Sequence, residues 1–119
     1  MENRFSDAKA LLENGLHFAV ASDFSPSCPA ESLQFVLTLS CFGLKVPVVE
    51  GLRALTLTAA KALKRERDLG SIELGKTADL VVFDVSDYRF LLQHLGANLV
   101  SDVIKSGAVV VDDGKLVKA

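Results

Sequence analysis

The segment His17-Phe18-Ala19-Val20-Ala21-Ser22-Asp23, followed by Phe24-Ser25-Pro26-Ser27-Cys28-Pro29, decides how the chain is read. A short, mostly apolar run of β-compatible residues stops at a carboxylate. A Ser/Pro-rich turn comes next, and then a long apolar stretch with helical spacing. Strand, acid, turn, helix is the layout of the C-terminal edge of a parallel α/β sheet or barrel, where ligands and metals bind. Asp23 is therefore the first candidate for chemistry. The plainer alternative is that it only ends the strand and caps a turn, as Asp often does.

Working outward, the spacing predicts a short amphipathic helix over Phe5–Asn14, with Ser6 as its cap and Asn14-Gly15 as its stop. A strand over Leu16–Ser22 is expected next. An opening helix with no strand before it is unusual for an autonomous α/β domain and reads as a unit joined partway through. After the turn, Pro29 suits a first helical position and Glu31 favours a helix N-terminus. Leu33, Val36, Leu37, Ser40, Cys41 and Leu44 form one stripe, and Phe35, Leu39 and Phe42 cover most of the rest. This helix is expected to be buried nearly all round, with Gly43 ending it. A second helix is expected from Val48 to about Leu63, with Leu52, Leu55, Ala59, Ala62 and Leu63 inward. Its charged end, Lys61 to Asp68, reads as solvated surface.

The character changes at Gly70. Leu80–Phe83 reads as a strand apolar on both faces, and Ser86–Leu92 as a short helical piece. Leu99–Ser106 and Ala108–Asp112 read as strands joined near Gly107, with Asp113-Gly114 as a turn into Lys115–Val117. Residues 1–69 are thus α/β and residues 70–119 mostly β.

Composition narrows the function classes. The chain has 119 residues, half of them hydrophobic, which fits one folded unit rather than a disordered segment. A net charge of −2 with interspersed signs offers no basic patch for nucleic acid. Lys45, Pro47 and Glu50 interrupt the most apolar region, so no membrane span and no membrane partner are expected. The two cysteines, Cys28 and Cys41, match no zinc spacing or disulfide framework, and the polar N-terminus lacks a signal-peptide core; both features point to the cytoplasm.

Three stretches carry a resemblance. GSIELGKTADLVVFD, Gly70 to Asp84, resembles the C-terminal signature of the metal-dependent amidohydrolase superfamily. Its glycines serve turns, and Asp79 is suited to satisfy backbone amides at the mouth of a strand. ASDFSPSCPAES, Ala21 to Ser32, and DYRFLLQHLGANLVSDVIKSG, Asp87 to Gly107, are similar to the strand-eight loop and the tail of the imidazolonepropionase family. The resemblance runs over essentially the whole chain but over only the C-terminal portion of such an enzyme. It implies the last part of a (β/α)8 barrel in residues 1–69 and a β-sandwich tail in residues 70–119.

The resemblance also implies a chemistry. The family holds one divalent metal, zinc or iron, with histidines after earlier strands and the Asp after strand eight; here only the last is matched, at Asp23. Asp23 would be both metal ligand and proton acceptor in the hydrolysis of imidazolone propionate, a cyclic amide, to formimino-glutamate. Ser25, Ser27 and Cys28 occupy the substrate-binding positions, where the family instead carries Asn, Gly and a hydroxyl residue. His17 lies at the far end of the strand from Asp23, and His94 matches a loop position that reads as structural. One carboxylate cannot make a zinc site, which takes about four ligands, so this chain alone is expected to hold no metal and to be inactive. Exposed apolar faces and an open strand edge lead to the expectation of a homo-oligomer. The alternatives are another amidohydrolase, of aminohydrolase or dipeptidase-like type, and a non-catalytic remnant or assembly module.

Overall fold

The computed structural model describes residues 7–117. Helices α1 (Ala8–Glu13), α2 (Leu33–Leu44), α3 (Val48–Leu55) and α4 (Leu57–Ala62) come first. Strands β1 (Leu80–Phe83), β2 (Val100–Lys105), β3 (Ala108–Asp112) and β4 (Lys115–Leu116) follow, with a 3₁₀ turn over Tyr88–Leu92 between β1 and β2. The four strands form one antiparallel sheet in sequence order. The chain is therefore a mixture of helix and sheet, with the helices ahead of the strands.

The β half follows its turn chemistry. Ser106-Gly107 joins β2 to β3 with φ of 52° and 84°, and Asp113-Gly114 joins β3 to β4 with φ of 46° and 71°. Positive φ at both central residues is the type I′ geometry whose twist matches that of paired strands. Asp79 at the mouth of β1 accepts the Ser106 amide at 2.8 Å and pairs with Lys105, so the Ala-Asp signature pins the neighbouring hairpin turn. Lys105, and then the Ser106 amide, hold the Asp79 carboxyl below the usual range.

Helix α2 anchors the helical half. Ser32 caps it, accepting the Phe35 amide at 3.1 Å, and Lys45 closes it in the left-handed region with φ of 55°. Leu37 and Cys41 pack with Leu91 of the 3₁₀ turn, and Leu52, Leu55 and Phe83 lean on that cluster. One core thus joins the helices to the β half. A Cβ on Gly51 of α3 would lie 2.8 Å from Leu37 Cδ1 and 2.9 Å from Cys41 Sγ, so only glycine lets α2 and α3 come this close. Burial pushes the Cys41 thiol pKa up.

Several expectations need correction. Leu16–Ser22 is not a strand. It is extended, with Phe18, Val20 and Ser22 half-buried between exposed neighbours, but its backbone bonds to other elements are two isolated ones, Leu16 N–H to Leu11 O at 2.9 Å and Val20 N–H to Ala54 O at 3.2 Å. A ladder needs a partner, and none of the described residues supplies one. The helix placed from Pro29 starts at Leu33, because Ser32 takes the cap and Cys28–Ala30 is tied into the preceding turn; it ends past Gly43, at Leu44.

Helix α2 is also not buried all round: Phe42 is 68% exposed, and Leu33, Phe35 and Leu39 are exposed as well. The second helix breaks at Thr56, whose backbone leaves the helical region (φ −120°, ψ −92°) while its hydroxyl donates to Leu52 O at 2.7 Å. Gly51, Ala54 and Ala60 are the buried residues of the two pieces, whereas Ala62 and Leu63, expected inward, are exposed. Asp7 caps α1, donating no proton but accepting the Ala10 amide at 2.9 Å. Ser6 and the start of the helix placed from Phe5 lie outside the described residues.

The 3₁₀ turn carries a pH-dependent clasp. Asp87 accepts the Arg89 side chain at 2.6 and 2.8 Å and the Arg89 amide at 2.8 Å, and these bonds lower its carboxyl pKa to about 2. A carboxyl depressed in the folded state contributes stability above its ordinary range, and the contribution is lost as pH falls through about 2. Carbon-detected NMR titration should therefore place the Asp87 midpoint near 2, and Arg89→Ala should return it towards the ordinary carboxylate range. An unchanged midpoint in Arg89→Ala would show that Arg89 is not the cause.

Candidate active-site loop

The loop between the extended segment and α2 is built by a tight turn. Ser25 N–H donates to Cys28 O at 3.2 Å, and Cys28 N–H donates to Ser25 O at 3.0 Å. The Ser25 hydroxyl accepts the Cys28 amide at 3.2 Å and lies 3.1 Å from the Ser27 hydroxyl. Pro26 presets the backbone for such a turn. The Ala30 amide then donates to Cys28 O at 2.9 Å and directs the chain towards the Ser32 cap.

Asp23 stands just ahead of this turn in the left-handed region, with φ of 51°. Asp tolerates that conformation better than most residues, and it turns the chain sharply at the end of the extended segment. Asp23 is exposed and lines a cavity of about 410 Å³ with Cys28, Ser22, Ser40 and Leu39. A larger cavity of about 760 Å³ lies between the loop, the start of α2, β1 and the His94–Asn98 loop. Cys28 lines both cavities, whereas Ser25 and Ser27 line neither.

The site residues singled out from the sequence are thus only partly gathered. Asp23 and Cys28 share one cavity wall, and Ser25 and Ser27 are engaged with each other and with the backbone of the turn. His17 lines neither cavity, while His94 and Asn98 line the larger one beside Cys28. Gln34 was missed by sequence reasoning. Its Oε1 accepts the Leu99 amide at 3.2 Å, tying the start of α2 to the chain that enters β2. The only signal was a polar residue in the first turn of an apolar helix.

No three His, Cys, Asp or Glu side chains converge among the described residues. A lone exposed carboxylate does not fit a divalent metal, which needs several converging donors. Among the described residues, no helix is long and apolar enough to cross a membrane.

Comparison with known proteins places the chain in a family. The sequence model of the amidohydrolase family matches residues 3–111. The imidazolonepropionase of Alkaliphilus oremlandii is 39% identical over 96% of the chain, and that of Treponema denticola is 42% identical over 95%. The chain spans 27% and 28% of the length of these two proteins. Among solved structures, a zinc-bound adenosine deaminase from Xanthomonas campestris superposes with a TM-score of 0.84 at 26% identity, over 97% of this chain and 30% of that one.

Proposed function

Because the chain belongs to the amidohydrolase family, we propose that it is the C-terminal portion of an imidazolonepropionase-type hydrolase acting on a cyclic amide C–N bond. The observation that carries this reading is the match to imidazolonepropionases along nearly the whole chain, 39% identical over 96% of it. In this reading residues 1–69 are the closing part of a (β/α)8 barrel, and residues 70–119 are the tail of its β-sandwich. The extended segment before Asp23 would gain its ladder from strands elsewhere in the complete polypeptide.

The role proposed for this chain's own residues is limited. Asp23 would contribute one carboxylate to a zinc or iron site whose histidines would come from outside the described residues, and a metal held there would supply Lewis-acid activation. Asp23 accepts a proton from the water that adds to the ring carbonyl of imidazolone propionate. It returns that proton to the ring nitrogen as the C–N bond breaks, giving formimino-glutamate. The loop of Ser25, Ser27 and Cys28 lies against the substrate. A cytoplasmic setting fits two free thiols. Exposed Phe35, Leu39 and Phe42 on α2 support a homo-oligomer, since apolar surface costs about 25 cal/mol per Å² to leave in water.

Substrate choice tests the reading, because the family also includes aminohydrolases. The complete polypeptide should turn over imidazolone propionate with a kcat/KM at least about 100-fold above that for adenosine or a dipeptide, the discrimination that a site built to hydrogen-bond its substrate readily achieves. Preference for adenosine or the dipeptide would move the protein to another branch of the family.

A further inference from the structure

We infer that residues 94–98 form a hinged strap over the larger cavity, latched in place by the side chain of Gln34. The strap is exposed throughout, and His94, Gly96, Ala97 and Asn98 line the cavity of about 760 Å³ together with Gln34 and Phe83. Its own hydrogen bonds are local. Ala97 N–H donates to His94 O at 3.4 Å, and the Asn98 side chain accepts the Val100 amide at 3.1 Å. Among the described residues, no hydrogen bond joins 94–98 to anything outside 94–100. The strap is held at its two ends. Gln93 N–H donates to Phe90 O at 3.0 Å and closes the 3₁₀ turn. At the other end the Leu99 amide donates to Gln34 Oε1 at 3.2 Å, while Leu99 O accepts the Asp84 amide at 2.8 Å. The Leu99 N–H lies in the same rigid plane as the Asn98 carbonyl, so a bond to it fixes the direction in which the strap enters β2. Half-buried Gln34 makes the one side-chain hydrogen bond, among the described residues, from the helical half to the β half.

A single latch on an otherwise locally bonded segment makes a two-position element. With the bond made, the strap walls the cavity beside the start of α2. With it broken, the strap swings between the 3₁₀ turn and Leu99, and the cavity opens on that side. Leu99 itself stays put, because its side chain packs on the Leu37–Cys41–Leu91 core. The sheet stays closed as well, since β2 pairs with β1 only from Val100 onward.

Amide exchange and backbone NMR relaxation of the 119-residue chain test the latch. In Gln34→Leu the Leu99 amide should exchange about fivefold faster, the effect of one lost hydrogen bond. Order parameters over residues 94–98 should fall from about 0.85 to below about 0.6, while the β2 amides of Val103 and Ile104 keep their rates. Gln34→Glu, which retains an acceptor oxygen, should restore both readouts. An unchanged strap in a folded Gln34→Leu chain would overturn the inference. So would an equal speeding of Val103 and Ile104, which would make Gln34 a general tie between the halves. Should Gln34→Leu not fold, relaxation dispersion of the unsubstituted chain decides: one common opening rate over residues 94–99 is expected, and flat profiles there would overturn the strap.

Discussion

Asp23→Asn in the complete polypeptide is expected to lower kcat for imidazolone propionate by at least about 10³-fold, within the range for loss of general-base assistance. The substitution is nearly isosteric, and Asn accepts the left-handed backbone that Asp23 adopts at φ 51° as readily as Asp does. Asp23 is exposed, so folding should change by no more than about 0.5 kcal/mol. What disappears is a negative charge and, in the proposed reading, the proton acceptor. Steady-state kinetics with a thermal melt separates the two effects. More than a tenth of the parent kcat in Asp23→Asn would reduce Asp23 to a turn residue at the end of an extended segment.

The largest stability effect is expected at Leu37. It is 2% exposed, central in α2, and packed with Cys41 and Leu91, so it holds the helices to the 3₁₀ turn. Leu37→Ala removes buried methyl groups and leaves a cavity that the close α2–α3 approach at Gly51 cannot readily fill. The cost should be about 2–5 kcal/mol, a large part of the roughly 5–15 kcal/mol that holds a typical domain together. Urea denaturation of the chain and its variant measures it directly. A loss below about 1 kcal/mol, the size of a small trimming such as Ile→Val, would mean that this seam is not the core.

What could be read from the sequence follows from how local its causes are. Asp113-Gly114 and the Gly107 turn declare their conformation in their own residues, and β1 to β4 fall where those turns place them. The stripe from Val36 to Cys41 likewise declares the buried face of α2. Leu16–Ser22 could not be settled that way. Its residues suit a strand, yet a strand exists only when another backbone pairs with it, and that partner is not among the described residues. The break at Thr56 depends on its hydroxyl bonding back to Leu52, a choice that helical periodicity does not encode.

The candidate site divides along the same line. Asp23 and Cys28 stood out because a carboxylate and a Ser/Pro turn end an apolar run. The bonds that tie Ser25, Ser27 and Cys28 into one turn became visible only in the structure. Gln34 gave no sequence signal of its contact with Leu99, a partner 65 residues away.

Metal content tests most directly the claim that Asp23 is one member of a ligand set completed outside this chain. The 119-residue chain and the complete polypeptide, each loaded with zinc or iron and passed through a chelating column, would be compared by elemental analysis. About one metal per complete polypeptide and none retained by the 119-residue chain is the expected result, since structural zinc sites with full ligand sets reach roughly 10–16 kcal/mol and a single carboxylate falls far short. A stoichiometric, chelator-resistant metal on the 119-residue chain, lost in Asp23→Ala, would contradict it.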